Sequence, residues 1–442
     1  MSATVAFTTL GCRLNQADTQ ALQRVLETRG FRTVPLEARP DVVVVNTCTV
    51  TARAELSDKR AIRRAARLSR DGRVVVTGCW AQTSPAEVAA LGGVDLVVGN
   101  ADKARLPDLL AGLTRSSVPR VEVSNIAGAR IEPLAAPVKS ERARAFLKVQ
   151  DGCQHRCAFC VVPLARGASR SLAPAAIEAH ARALVDAGHA EIVLTGVDLG
   201  HYGADLVPRT SLAALLARLV TISGLRWLRL SSLLPAYFTG ELLDIVTGSP
   251  VIAPHLHVPL QSGSDHVLRA MRRPYTAAMY RGLVERLAAA IPRLGLGADV
   301  IVGFPGETDA DFAETVALVE SLPFSYLHVF PYSPRAGTEA AGRAGRPGRP
   351  GRIDAATAAE RGRRLREAAA AKNLRFRAGM LGRVEDVLVL EARDRATGDL
   401  TGLTGNYMEV TFRGPDDLRR RVARVRVTAV EAAASRGRLE DA

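Results

Sequence analysis

At 442 residues with 47% hydrophobic side chains, the chain has room for two or three domains, each with its own core, and its composition excludes a disordered polypeptide. No run approaches the ~20 apolar residues that span a bilayer, and no basic flank precedes an apolar stretch near the start. The expectation is a cytoplasmic protein with no membrane segment and no signal peptide. The net charge of +14 points to a polyanionic partner, but only five of the 59 basic residues are lysine, so part of the excess is a general preference for arginine. Its distribution carries more: residues 335–377 hold eleven Arg and one Lys against four acids, and residues 51–70 hold seven bases against two.

Residues 1–119 read as a parallel α/β unit, with strands at 4–9, 42–46, 74–77 and 96–98 separated by helix-length segments. Buried parallel strands show as continuous branched runs, as in Val42-Val43-Val44-Val45. Cys12, Cys48 and Cys79 sit just past three of these strands, each beside Gly or Thr. The carboxyl ends of parallel strands share one edge of the sheet, where ligands collect. Any one of these cysteines could be a small buried hydrophobe. The same placement three times points instead to a second metal site. The segment 51–70 reads as a helix with Lys59, Arg60, Arg63, Arg64 and Arg67 on an exposed face, either merely solvated or in contact with RNA.

Residues 120–140, with Pro133 and Pro137, read as a linker. Beyond it lies Cys153-Gln154-His155-Arg156-Cys157-Ala158-Phe159-Cys160, spaced C-x3-C-x2-C. Three thiolates in eight residues, with no fourth nearby, suit a [4Fe–4S] cluster that keeps one iron without a protein ligand. Structural zinc is the alternative, but it normally closes its shell with four Cys or His ligands, and His155 reaches a fourth position only with strained geometry. From 146 to about 334 the pattern is β then α, repeated. Strands are expected at 146–150, 192–196, 227–231, 256–260, 297–302 and 326–330, with helices such as 174–187 and 310–321 between them. Six such units make an open, partial (β/α)6 barrel with its chemistry at the strand carboxyl ends. His255 and His257 point to one strand face and read as structural histidines rather than ligands; Asp198, His201, Asp265 and Asp299 are unassigned acid/base candidates.

Residues 341–350 should form a flexible basic tether, followed by a basic helix over 354–375. The remainder, 378–442, reads as short strands at 382–389, 407–412 and 422–427 closing into a small β-barrel. Its eleven Arg balance eleven acids, so only the local cluster Arg419-Arg420-Arg421, with Arg424 and Arg426, marks it for RNA.

The motif Cys153 to Cys160 resembles the signature of radical S-adenosylmethionine (SAM) enzymes. The whole chain resembles the methylthiotransferase family, through Leu10-Gly11-Cys12-Arg13-Leu14-Asn15-Gln16, Asn46-Thr47-Cys48-Thr49-Val50, Asp151 to Gly167, His257 to Ser264 and Asp299 to Thr308. The resemblance implies an N-terminal methylthiotransferase domain (1–119), a radical SAM domain (139–369) and a C-terminal TRAM barrel (376–440). It implies two [4Fe–4S] clusters, one on Cys153, Cys157 and Cys160, and an auxiliary, sulfur-delivering one on Cys12, Cys48 and Cys79. SAM would meet Phe159, Thr195, Gly196, Ser231, Gln261 and Asp299. The implied activity is methylthiolation of C2 of N6-threonylcarbamoyladenosine (t6A) at position 37 of a tRNA anticodon loop, using two SAM. A reduced flavodoxin- or ferredoxin-type protein would be the electron donor. The residues around Cys12 and Leu194-Thr195-Gly196-Val197-Asp198-Leu199-Gly200 set this branch apart from the one acting on isopentenyladenosine. Two positions depart from the family pattern: Leu164, where Tyr is common, and Leu234, where a carboxylate is expected. From a different class, an iron–sulfur electron carrier or an RNA-binding regulator is the rival, but neither needs both the glycine-lined strand ends and two open irons.

Overall fold

A computed structural model of the chain describes residues 3–115, 118–129, 142–343, 351 and 353–440. The valine run becomes the strand β3 (Val42–Thr47), buried at every position. Its alternate side chains supply two cores. Val42 and Val44 pack with Leu22, Leu26 and Leu106, whereas Val43 and Val45 pack with Ile62, Ala65 and Trp80. A strand covered on both faces sits inside a parallel sheet. The sheet has the order β2-β1-β3-β4-β5-β6, with β1 (Thr4–Thr9), β2 (Arg32–Thr33), β4 (Arg73–Gly78), β5 (Leu96–Val98) and β6 (Arg120–Glu122). Two of these were not expected. Arg32–Thr33 and Arg120–Glu122 are short, charged edge strands without apolar runs, and β6 replaces the start of the expected linker. A single 3-10 turn, Ile126–Gly128, follows it, and residues 130–140 of that linker lie outside the described residues.

The central unit begins with β7 (Arg144–Lys148) and a small antiparallel pair, β8 (Gln150–Asp151) with β9 (Arg170–Ser171). Parallel strands β10 (Glu191–Thr195), β11 (Trp227–Leu230), β12 (His255–His257), β13 (Gly295–Val302) and β14 (Tyr326–Pro331) follow. They form two three-stranded sheets, β11-β10-β7 and β12-β13-β14, joined by a parallel bridge between Leu228 and Ile252. Alternation decides the two faces. Leu256, Ala298 and Val300 pack outward with Leu283, Val284 and Leu287 of the surrounding helices, which leaves His255, His257, Asp299, Tyr326 and His328 together on the opposite face. Among the described residues, no helix is long and apolar enough to cross a membrane.

The expected basic helix is Ala355–Ala378, capped by the Asp354 carboxylate accepting from the Thr357 N–H. Of the expected tether, 341–343 instead end the short helix Glu339–Arg343, and 344–350 lie outside the described residues. A closed five-stranded barrel, β15-β16-β17-β19-β18, ends the chain: β15 (Val384–Arg393), β16 (Leu400–Thr404), β17 (Glu409–Arg413), β18 (Val422–Val430) and β19 (Ser435–Leu439). β16 and β19 escape the sequence reading because Gly402, Gly437 and the arginines of β19 break the apolar alternation.

This small barrel docks against the amino ends of the central strands. Ala143, Trp227, Ala253 and Leu388 form a shared apolar patch, and Asn406 Nδ2 donates to the Arg293 carbonyl at 3.2 Å. The β16–β17 turn enters further. Fully buried Arg229 grips Glu191 with two bonds of 2.8 Å and donates to the Gly405 carbonyl at 2.9 Å. Next to it the Tyr407 ring lies 4.5 Å from His255 and within 5.1–5.7 Å of the guanidiniums of Arg229, Arg13 and Arg144. Burial opposes ionisation of its hydroxyl, but those three cations outweigh burial and lower its pKa. The last module therefore supplies a floor beneath the inner face of the central strands.

Candidate functional site

Strands β1, β3 and β4 are neighbours, so Cys12, Cys48 and Cys79, which follow them directly, meet at one edge of the sheet. Backbone geometry makes the meeting possible. Gly11 adopts φ +88°, and a Cβ there would lie 2.7 Å from the Cys48 Cβ and 2.8 Å from its sulfur, so only glycine lets the two cysteine loops touch. Gly78 repeats the device before Cys79, at φ +103° and with the Thr47 carbonyl 2.4 Å from where a Cβ would stand. Asn15 ties the loops together: its amide donates to the Leu10 carbonyl at 2.8 Å and to the Thr47 carbonyl at 2.9 Å. The Cys48 N–H donates to the Asp58 carboxylate at 3.0 Å.

The second set stands opposite, on the loop between β8 and the short helix Val162–Arg166. Arg273 Nη1 donates to the Cys157 sulfur at 3.1 Å, and the Cys153 sulfur lies 3.8 Å from Asp198. His155 is engaged beside them: its Nε2 meets the Tyr237 hydroxyl at 2.8 Å and lies 3.4 Å from Asp198, to which that hydroxyl donates at 3.0 Å.

Both sets suit a positively charged metal cluster. All six cysteines are free thiols. Burial pushes Cys48 up to about 12, with the neighbouring Cys79 and Cys12 adding to the effect. Burial likewise raises Cys153 to about 12, reinforced by Asp198, and Cys160 to about 11. Packed thiols of this kind become thiolates only when a cation joins them. Around the first set, buried Asn46 Oδ1, Asp58 Oδ1, Thr77 Oγ1 and Asn100 Oδ1 have no hydrogen-bond partner among the described residues, a concentration of orphans that marks a place for a further group.

The remaining expected residues gather less tightly. Thr195 and Gly196 close β10, and the Thr195 hydroxyl is spent on the Val193 carbonyl at 3.2 Å. Ser231 follows β11, its buried hydroxyl unpartnered among the described residues. Gln261, at φ +65°, follows β12 and links by backbone to Asp299 and Ile301. Phe159 packs near Val267, Met271 and Phe304. Asp299 lies in mid-strand rather than at an end, 3.2 Å from His257 and 3.1 Å from His328; burial opposes its charge, but the two imidazoles hold it well below the carboxylate range. The three ligand atoms fall within 4.8 Å of one another, a geometry that can accept a cation, although His257 and His255 both already bond the Tyr326 hydroxyl. Of the departures, Leu234 packs on the barrel core and Leu164 is exposed, over Gly337.

Sequence reasoning missed the group that joins the two thiol sets. Arg166 is 3% exposed and donates to Asn15 at 2.6 Å, Asp18 at 3.0 Å and Asp151 at 2.9 Å. Lys103 and Lys148 complete the cluster on Asp18, at 3.0 Å and 2.7 Å, and Lys148 also meets Asp151 at 2.7 Å. Burial works against these carboxylates, but the surrounding cations hold Asp18 and Asp151 well below their usual range. Asp18 and Lys103 belong to the first unit, the others to the second, so a five-charge network crosses the junction between the cysteine sets. One signal was present: Asn15 and Arg166 each lie close in sequence to a cluster cysteine. A second clamp sets Arg335 on Glu55 and Thr49, beside the Cys48 loop. The expected basic face of the helix Ala52–Leu68 is present, with Arg60, Arg63, Arg64 and Arg67 exposed; Lys59 lies over the Trp80 ring and Arg64 pairs with Glu37.

An open parallel barrel carrying a three-thiol loop, joined to a second thiol edge, defines a radical SAM enzyme with an added N-terminal module. Residues 147–319 match the radical SAM superfamily, and residues 4–99 match the uncharacterized protein family UPF0004. The threonylcarbamoyladenosine tRNA methylthiotransferase MtaB of Bacillus subtilis is 40% identical over 429 residues, covering 96% of this chain and 94% of its own. The tRNA-2-methylthio-N(6)-dimethylallyladenosine synthase of Moorella thermoacetica is 33% identical, covering 98% and 97%. The fold is shared with the radical SAM methyltransferase TsrM of Kitasatospora setae, at a TM-score of 0.55 and 19% identity over 77% of this chain and 75% of that one. The chain belongs to the radical SAM methylthiotransferase family, enzymes that modify tRNA, and as such it uses SAM and a [4Fe–4S] cluster.

Proposed function

We propose that this enzyme methylthiolates C2 of t6A at position 37 of tRNA, giving ms2t6A, with two SAM and two [4Fe–4S] clusters. The observation that carries the reading is the edge formed by Cys12, Cys48 and Cys79 facing the Cys153–Cys160 loop across the Arg166 network. One cluster on Cys153, Cys157 and Cys160 suffices to cleave SAM; a second three-thiol set in the same enzyme is what sulfur delivery requires. The t6A branch is supported by the 40% and 38% identity of the B. subtilis and Aquifex aeolicus relatives over more than nine-tenths of this chain.

When bound, the two clusters supply SAM cleavage and the sulfur; the chain supplies placement and shielding. Gly11 and Gly78 let the three thiols of the first set converge, and Asn15 fixes them to Arg166. Phe159 would lie near the adenine of SAM, and Thr195, Gly196, Ser231, Gln261 and Asp299 would line its pocket. Tyr407 and the Arg229–Glu191 pair seal the opposite end against water. The target base reaches such a cavity only when unstacked from the anticodon loop. A reduced flavodoxin- or ferredoxin-type protein provides the electrons.

The alternative substrate is isopentenyladenosine, since the M. thermoacetica relative spans nearly the whole chain at 33% identity. Nucleoside mass spectrometry of tRNA from a deletion strain separates the two: loss of ms2t6A with the isopentenyladenosine derivative unchanged supports the proposal, and the reverse pattern refutes it. Anaerobic reconstitution should give about eight irons per chain, and replacing any one of the six cysteines should remove about four. One bound zinc in their place would overturn the cluster assignment.

A further inference from the structure

Two cations from different units converge on one hydroxyl. Arg13 Nη2 donates to the Tyr407 oxygen at 2.8 Å, and Arg144, the first residue of β7, reaches the same oxygen. Their guanidinium carbons stand 5.6 and 5.7 Å from the centre of the Tyr407 ring. Neither guanidinium forms an ion pair among the described residues: Glu191, the neighbour of Arg144 across the β7–β10 pairing, gives both its oxygens to Arg229 at 2.8 Å. Arg144 Nη1 is buried and has no hydrogen-bond partner among the described residues. The surrounding charge is one-sided as well. At buried His255 burial lowers the pKa, and Arg229, Arg13, His257 and Arg144 add to that effect, so this ring stays neutral and leaves the arginines uncompensated. Two unpaired guanidiniums gathered at one neutral hydroxyl are completed by an anion, and their forked donors match a carboxylate.

Position narrows the source of that anion. Arg13 directly follows Cys12, and consecutive Cα atoms lie about 3.8 Å apart, so its side chain starts beside the thiol edge assigned above to sulfur delivery. Arg144 opens β7, whereas the Cys153–Cys160 loop, where the amino acid of SAM would bind, lies beyond the other end of that strand. About 13 Å of strand separate Arg144 from Lys148 at that end. An anion between the two arginines is therefore carried by the base that reacts, not by SAM. The two candidate bases differ in this respect: the N6 substituent of t6A ends in a carboxylate, and that of isopentenyladenosine ends in methyl groups.

We propose that Arg13 and Arg144, positioned by the Tyr407 hydroxyl, bind the threonyl carboxylate of t6A and so select it over isopentenyladenosine. The proposal rests on t6A being the substrate and names the residues that recognise it. Selection works in both directions. The carboxylate replaces water on two half-buried guanidiniums, whereas an isopentenyl group strips that water and returns no bond. Because Arg13 begins the helix Arg13–Thr28 of the first unit and Arg144 belongs to the central strands, the receptor exists only when the two units are docked.

The test gives the full-length, cluster-reconstituted enzyme three anticodon stem–loop RNAs, with t6A, its threonyl methyl ester or isopentenyladenosine at position 37. The ester keeps every phosphate and loses only the carboxylate charge. Wild type should show a KM for the t6A RNA about ten- to a hundredfold below that for the ester, with kcat little changed. Arg13→Gln and Arg144→Gln should each raise KM for the t6A RNA while leaving that for the ester near the wild-type value, and the double variant should show no preference between them. Equal KM values for acid and ester in wild type overturn the proposal, and this comparison requires no variant to fold. A double variant that keeps the wild-type preference overturns it too. Equal weakening of acid and ester in the variants would assign the arginines to a backbone phosphate and likewise overturn it. Reaction of wild type with the isopentenyladenosine RNA and not with the t6A RNA would overturn the substrate reading, and the proposal with it.

Discussion

The two thiol sets are built by opposite means. Cys153, Cys157 and Cys160 come from eight consecutive residues, so one loop conformation suffices to gather them. Cys12, Cys48 and Cys79 are spread over three strands and gather only when β1, β3 and β4 pair in register. The local set is legible as a motif; the dispersed set depends on a folded sheet, on two left-handed glycines and on Asn15. Substitutions in the scaffold should therefore discriminate between the sets where substitutions of the cysteines do not.

The largest effect is expected where the sets are joined. Arg166→Met leaves Asp18 and Asp151 buried with fewer cations, and breaking such a network costs about 3–5 kcal/mol. Urea unfolding monitored by circular dichroism should show this loss, and reconstituted iron should fall at both sets. Gly11→Ala comes next. Its Cβ collides with Cys48 at 2.7 Å in a left-handed backbone, at about 1–3 kcal/mol of strain. Iron should drop by about half, with the Cys153–Cys160 set still able to cleave SAM; loss of SAM cleavage would show that the sets are not separable.

Acid is a gentler probe of the same junction. Asp18 and Asp151 have folded pKa values lowered below the unfolded range, so their stabilisation is complete above about pH 4 and is lost as pH falls through the lowered values. The part of the unfolding free energy that Arg166→Met removes should be constant from pH 7 to 5, so wild type and variant run parallel there, and below pH 4 the variant should decline less steeply. The smallest change is Tyr407→Phe, which removes the hydroxyl that accepts from Arg13 at 2.8 Å. A stability loss of about 1 kcal/mol is expected, with reconstituted iron unchanged.

These contrasts also explain what could be read from the sequence. Val42 to Val45, the six barrel strands and the strand-end cysteines carry strong local signals, because apolar periodicity and thiol spacing act over a few residues. Arg32–Thr33, Arg120–Glu122 and the glycine-bearing strands β16 and β19 have no such period; their pairing comes from neighbours already in place. Asp18, Lys103 and Lys148 look like ordinary surface charges until the two units meet. The Arg13–Tyr407 bond joins positions 394 apart, and nothing within a window of neighbouring residues announces it.

That bond has a consequence for biosynthesis. All six cysteines leave the ribosome well before Tyr407, so a nascent or truncated chain can carry every thiol while its barrel is still open from below. Closure of the floor must await synthesis of the β16–β17 turn, and a product that ends before β16 would leave the inner face of the central strands open at that end.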